Sequence, residues 1–364
     1  MPEVFGQRLS RDEFLRWVGH PSQVAGVRPV LLQDGRERDV RAFHLWTGSG
    51  LEFDVLADRG LDISSARYCG APLSWRSPVG DAHPAYYEPE GSGWLRTFYG
   101  GLVVTCGLTH LGAPCEDEGE SLGLHGRYSH IPAANVTWGG QWIGDEYQLW
   151  VAGEMREWVM FGANLVLRRR IVAHAGKSEI TIIDEVENEG TRASPLMILY
   201  HVNLGWPVVA EGAELLSAVS EVRPRDEIAA RGYEQWPRVF APERGFREQV
   251  FYLEQSPDSR GYVDVALVNQ RFRGGRGLGV ALRYAIAELP RFILWKQLDE
   301  KTYVVGLEPA NCLVEGRARE RARGTLQTIE PGEKRHFELE IRVLEGDEIA
   351  LLRDELEDRR RRGS

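Results

Sequence analysis

Along most of this chain apolar and polar residues alternate with a period of two, the spacing at which successive side chains point to opposite faces of a β-strand. Arg41-Ala42-Phe43-His44-Leu45-Trp46 and Leu51-Glu52-Phe53-Asp54-Val55-Leu56 alternate on either side of Gly48-Ser49-Gly50, which predicts a hairpin. Residues 148–155 and 163–172 read as neighbouring strands, and 178–188 alternates up to a turn signal at Glu189-Gly190. Residues 262–269, 279–284, 291–296, 303–308 and 335–343 continue the series. One short helix opens the chain: Ser10 and Glu13 form a capping box, Phe14, Leu15, Trp17 and Val18 supply an apolar face, and Gly19-His20-Pro21 ends it. Helical periodicity returns only at 347–359, where Ile349, Leu351, Leu352 and Leu356 share a face. The basic residues 359–362 read as a solvated end.

No fixed-period repeat, low-complexity linker or strand–helix alternation divides the chain. The pattern predicts an all-β fold of two large antiparallel sheets packed face to face. Residues 1–26 form a helical extension, 27–345 one sandwich domain, and 346–364 a terminal helix with a basic tail.

Composition narrows the partners. The 364 residues are 43% hydrophobic, enough for a large core, and the net charge of -10 disfavours nucleic acid. Cys69, Cys106, Cys115 and Cys312 show neither a CxxC pair nor zinc-ligand spacing. The longest apolar run, 194–210, contains Pro195, His201, Asn203 and Pro207, which argues against a membrane span. Charges near the N-terminus leave no secretory apolar region, so the expected location is cytoplasmic. There is no GxGxxG after a strand, no GxxxxGK[ST] and no GxSxG, so nucleotide-dependent and serine-hydrolase chemistry is not indicated.

Three polar motifs interrupt apolar runs. His201 lies in Leu199-Tyr200-His201-Val202-Asn203-Leu204, where a core histidine and a catalytic one fit equally well. Glu308 closes Val304-Val305-Gly306-Leu307-Glu308 ahead of Pro309, either as a paired, functional carboxylate or as an exposed strand end. His125 stands among glycines in Gly123-Leu124-His125-Gly126, as a ligand contact or a plain turn residue. Histidine and a tuned glutamate can pass protons near neutral pH. Arg59, in Asp58-Arg59-Gly60-Leu61-Asp62, and Arg96, beside Trp94, Phe98 and Tyr99, suit sugar hydroxyls or structural salt bridges. His130 with His125 raises a metal reading, for which further ligands are not identifiable.

Taken in order, these motifs resemble the aldose 1-epimerase (galactose mutarotase-like) family over about residues 40–345. Leu124-His125-Gly126 is similar to the family's hydroxyl-holding histidine. His201-Val202-Asn203-Leu204 is similar to its acid, and Gly306-Leu307-Glu308-Pro309 to its base. Gly245-Phe246-Arg247-Glu248-Gln249 resembles a segment that carries a sugar-binding aspartate, here Glu248, and Leu289–Trp295 the strand before the base. The usual arginine of the first glycine-rich strand is missing from Gly100-Gly101-Leu102-Val103-Val104, leaving Arg59 or Arg96 to replace it. The resemblance implies a galactose-mutarotase-like β-supersandwich and acid–base interconversion of sugar anomers without a cofactor. His201 and Glu308 would be catalytic, with His125, Glu248, Arg59, Arg96 and Trp295 binding a small sugar. No nucleic acid or membrane partner is expected, and monomer and homodimer both remain open. The rivals are a carbohydrate-binding protein without turnover and a metal-dependent sugar isomerase using His125, His130 and carboxylates as ligands.

Overall fold

The structure, a computed structural model, describes residues 1–363. Two antiparallel sheets carry the fold. The eight-stranded sheet runs, in spatial order, Ala134–Ile143, Glu146–Trp158, Asn164–His174, Glu179–Asn188, Lys334–Leu344, Leu278–Ala285, Tyr262–Asn269 and Glu214–Ser217. The eleven-stranded sheet runs Val219–Pro224, Gln249–Gln255, Arg291–Asp299, Thr302–Ala310, Met197–Leu204, Val103–Leu108, Asp62–Tyr68, Leu51–Leu56, Arg41–Trp46 and Gly26–Leu31, with Ala71–Pro72 beside Asp62–Tyr68.

Alternation dictates how the sheets pack. In Glu146–Trp158 and Glu179–Asn188 every second residue is buried, so each strand turns one face to its partner sheet. Leu149, Val151, Leu167 and Ile182 from one sheet meet Phe53, Val202, Phe251 and Leu307 from the other in a single core. Met197–Leu204 is buried at every position, which explains its unbroken apolar reading. Ile198, Tyr200, Val202 and Leu204 enter the inter-sheet core. Met197 and Leu199 face the other way, into a second cluster with Trp94, Phe98, Val104 and Ile293. His201 shares that outer face.

Buried charge anchors this strand from beneath. Arg169 reaches Asp62 at 2.7 Å and Asp184 at 2.6 Å, with all three side chains inaccessible to solvent. The Tyr200 hydroxyl donates to Asp184 at 2.7 Å. The residue preceding His201 is thereby tied to an ion-pair network that fixes the strand's placement.

The opening helix is Arg11–Trp17, with Ser10 and Glu13 forming the expected capping box, and the terminal helix is Asp347–Gly363. Two further helices, Glu227–Arg231 and Arg317–Arg323, depart from the expectation that helical periodicity returns only at 347. Arg317–Arg323 has no apolar face to read. Its buried residues are Arg317 and Glu320, and Arg317 docks on Asp117 at 2.6 Å. Among the described residues no helix is long and apolar enough to cross a membrane.

Candidate active site

The register of the large sheet brings His201 and Glu308 together. Leu199 pairs with Ala310 and Val202 with Leu307, which sets His201 opposite Glu308 on adjacent strands, facing the same side. His201 Nε2 lies 3.3 Å from Glu308 Oε1, both side chains almost wholly buried. The approach is at charge-contact distance but off the alignment of a hydrogen bond, since Glu308 Oε1 has no hydrogen-bond partner, and neither does His201 Nδ1. Unsatisfied buried polar atoms cost about 1–3 kcal/mol each.

Gly306 makes room for the carboxylate. A Cβ there would lie 2.4 Å from Glu308 Oε1 and 3.1 Å from the Trp295 ring, so a side chain would displace one or the other. His125 arrives from a loop rather than a strand, in left-handed backbone with φ 58°. The following Gly126 packs so closely that a Cβ would meet the His110 carbonyl at 2.1 Å. The half-buried His125 ring stands edge-on to His201 at 5.9 Å and against Trp94 at 4.8 Å, its Nδ1 also unpartnered. Trp295 meets His201 edge-on at 5.3 Å, and Phe98 tilts over it at 5.5 Å. Trp295 Nε1 donates to Glu248 Oε2 at 2.9 Å, and Arg225 Nη2 donates to Glu248 Oε1 at 2.9 Å.

Burial sets the protonation of this group. Desolvation holds Glu308 well above the usual carboxylate range, with the Glu248 charge adding to the effect and Arg225 opposing it. Desolvation also lowers His201 to about 3, reinforced by His125 and opposed by Asn203. His125 falls to about 4 by desolvation, against the pull of Glu248. Both shifts favour a proton on the carboxyl over one on the imidazole, and two groups this close titrate as a unit.

His125, His201, Glu248, Trp295 and Glu308 thus gather on one face. Arg59 does not join them. Its side chain is 1% exposed and its guanidinium is held by the carbonyls of Ser129, Ala82 and Thr97 and by His130, so it braces loops from a buried position. Arg96 sits on the short helix Gly93–Thr97 that carries Trp94, but its exposed guanidinium pairs with Glu88 at 3.0 Å. The arginine that reaches the group is Arg225, which the sequence reading missed. It stands just after the strand Val219–Pro224 in an ordinary polar run, and only the sheet register marks it. His130 is engaged by Arg59, Thr97 and a stacked Tyr87, so it is not paired with His125 as a ligand set. Among the described residues no cluster of three or more His, Cys, Asp or Glu could hold a metal ion.

Comparison with known proteins agrees with this fold. A protein provisionally named an aldose 1-epimerase from Klebsiella pneumoniae superposes with a TM-score of 0.88 at 24% identity, over 93% of this chain and 90% of that one. A galactose mutarotase-like protein from Clostridium acetobutylicum gives 0.58 at 11% identity, over 88% and 98% of the two chains. A galactose 1-epimerase from Lactobacillus acidophilus gives 0.51 at 15%, over 88% and 99%. The architecture is that of the galactose mutarotase-like proteins, as the motifs implied. No curated protein sequence matches the chain. Residues 37–343, which include every residue gathered at the site, match the family described as a domain of unknown function, DUF4432, and the chain belongs to it.

Proposed function

We propose that this protein interconverts the α and β anomers of an aldose or sugar derivative by acid–base ring opening and closure. The observation that carries the reading is the His201–Glu308 pair: two buried proton-transfer groups 3.3 Å apart, each with an unsatisfied polar atom, under an aromatic wall. Ring opening needs one group to take the proton of the anomeric hydroxyl and another to protonate the ring oxygen. A pair that holds a single proton can do both, because one member is always the acceptor.

Glu308 takes the anomeric proton and His201 gives a proton to the ring oxygen as the C1–O5 bond breaks. A substrate hydroxyl that donates to Glu308 favours the carboxylate, and the carboxyl proton passes to His201 once the two side chains, 3.3 Å apart, tighten into hydrogen-bond alignment around the substrate. Rotation about C1–C2 followed by closure with the roles reversed gives the other anomer and restores the pair. His125, Glu248 and Trp295 hold hydroxyls and stack on the ring. Positioned acid–base groups typically contribute ~10²–10⁴-fold each, and the step requires no cofactor.

Kinetics of anomer exchange test the assignment. Glu308→Gln and His201→Asn should each lower kcat by about 10²-fold or more. An unchanged rate in Glu308→Gln, on a sugar that the wild type turns over, refutes the assignment of the base.

A further inference from the structure

Beside the catalytic pair lies a cleft of 430 Å³ that the ring-opening chemistry does not use, lined by Arg223, Arg225, Arg291 and Arg323. It lies on the same face of the sheet as the site. Glu308 pairs in register with Ile293, Ile293 with Tyr252, and Tyr252 with Arg223. These side chains form one row across four strands on the same face. At about 4.8 Å per strand, Tyr252 stands about 10 Å from Glu308. Arg225 belongs to both places, since it lines the cleft and holds Glu248.

Three carboxylates share the cleft, and two arginines hold them. Glu254 receives Arg291 at 3.4 Å. Glu315 and Glu320 both receive Arg323, and Glu320 also accepts from Thr325 at 2.7 Å. Arg223 is different: it forms no ion pair among the described residues and lies over the Tyr252 ring at 5.4 Å. Tyr252 is 5% exposed, lines the cleft, and its buried hydroxyl has no hydrogen-bond partner. An arginine without a counter-ion beside an orphaned buried donor is an arrangement that an anion completes.

We propose that this cleft is an anion subsite, and that the substrate is an acidic sugar carrying a carboxylate or phosphate at the end remote from its anomeric carbon. Arg223 and the Tyr252 hydroxyl donate to the anionic group while Arg225 bridges it to the Glu248 side of the ring. This rests on the sugar reading of the His201–Glu308 pair. It makes the cleft, rather than the hydroxyl contacts, the determinant of which sugars are taken.

The test is calorimetric titration at low ionic strength with glucose, galactose, glucuronate, galacturonate and glucose 6-phosphate, run beside NMR anomer exchange on the same sugars. At least one acidic sugar should bind about tenfold or more tighter than its neutral counterpart, as a charge-assisted contact supplies. Added salt should shrink that advantage. Arg223→Gln should cut the acidic-to-neutral ratio about tenfold, and Tyr252→Phe should lower it in the same direction without disturbing the core. Preference for the uronates or for the phosphate identifies the anionic group. Acidic sugars binding no tighter than neutral ones, or an advantage that survives both substitutions, overturns the inference. Exchange of neutral sugars with no acidic preference leaves the proposed function standing without this subsite. Tight acidic binding with no exchange of any sugar leaves the subsite standing without the turnover.

Discussion

Replacing Glu308 with glutamine should make the folded protein respond less to pH while removing its activity. Glu308 is 2% exposed, and burial holds its carboxyl well above its ordinary value of 4.5. In the unfolded chain the same carboxyl ionises near 4.5. Because the folded value is raised, the stabilising contribution is fully present below 4.5 and is lost as pH rises toward the folded value. Over that window the unfolded state binds fewer protons than the native one, so the slope of stability against pH is negative. Each pH unit in which only the unfolded chain ionises removes about 1.4 kcal/mol. Glutamine has no such slope. Its amide adds a pH-independent offset of about 1–3 kcal/mol if a donor is left unpaired, so the informative quantity is the change in the difference between variants. Urea unfolding of wild type and Glu308→Gln at pH 4.5, 5.5 and 7 measures it. The difference should move in favour of the variant at each step upward. A difference that stays flat, or moves toward the wild type, would show that Glu308 is ionised in the native protein and refute the protonation argument.

Gly306→Ala should leave the fold intact and lower kcat by up to about 10²-fold, because its Cβ would displace the Glu308 carboxylate or Trp295; circular dichroism beside kinetics separates this from unfolding. Arg169→Met should destabilise the protein by about 3–5 kcal/mol in urea titration, since it strands the buried carboxylates of Asp62 and Asp184. His125→Asn should raise KM and largely spare kcat, as expected of a hydroxyl contact, and a matching fall in kcat would move His125 into the proton-transfer machinery.

Strands that bury one face were legible because alternation is the signature of a half-buried sheet. Glu179–Asn188, buried at every second position, falls within the alternating run read at 178–188. Val103–Leu108 and Met197–Leu204 are covered on both faces, so periodicity carried no information about which way their side chains point. That face decides whether His201 belongs to the inter-sheet core or to a site, and only the pairing with Thr302–Ala310 resolves it. Arg59 misled because a glycine-flanked arginine looks the same whether its donors meet a ligand or, as here, backbone carbonyls. Arg225 was invisible for the converse reason: a surface-like sequence, Arg223-Pro224-Arg225-Asp226, acquires its position from a neighbouring strand 25 residues away, where Arg225 N–H meets the Val250 carbonyl.

The central claim is that one shared proton opens and closes a sugar ring without breaking a carbon–hydrogen bond. Anomer exchange followed by NMR in deuterated solvent tests it most directly, on whichever sugar of the neutral and acidic panel the protein accepts. The account predicts fast exchange between the α and β signals, full retention of hydrogen at C1 and C2, and loss of that exchange in Glu308→Gln. Deuterium entering C2, or exchange no faster than in buffer for every sugar on the panel, would contradict it.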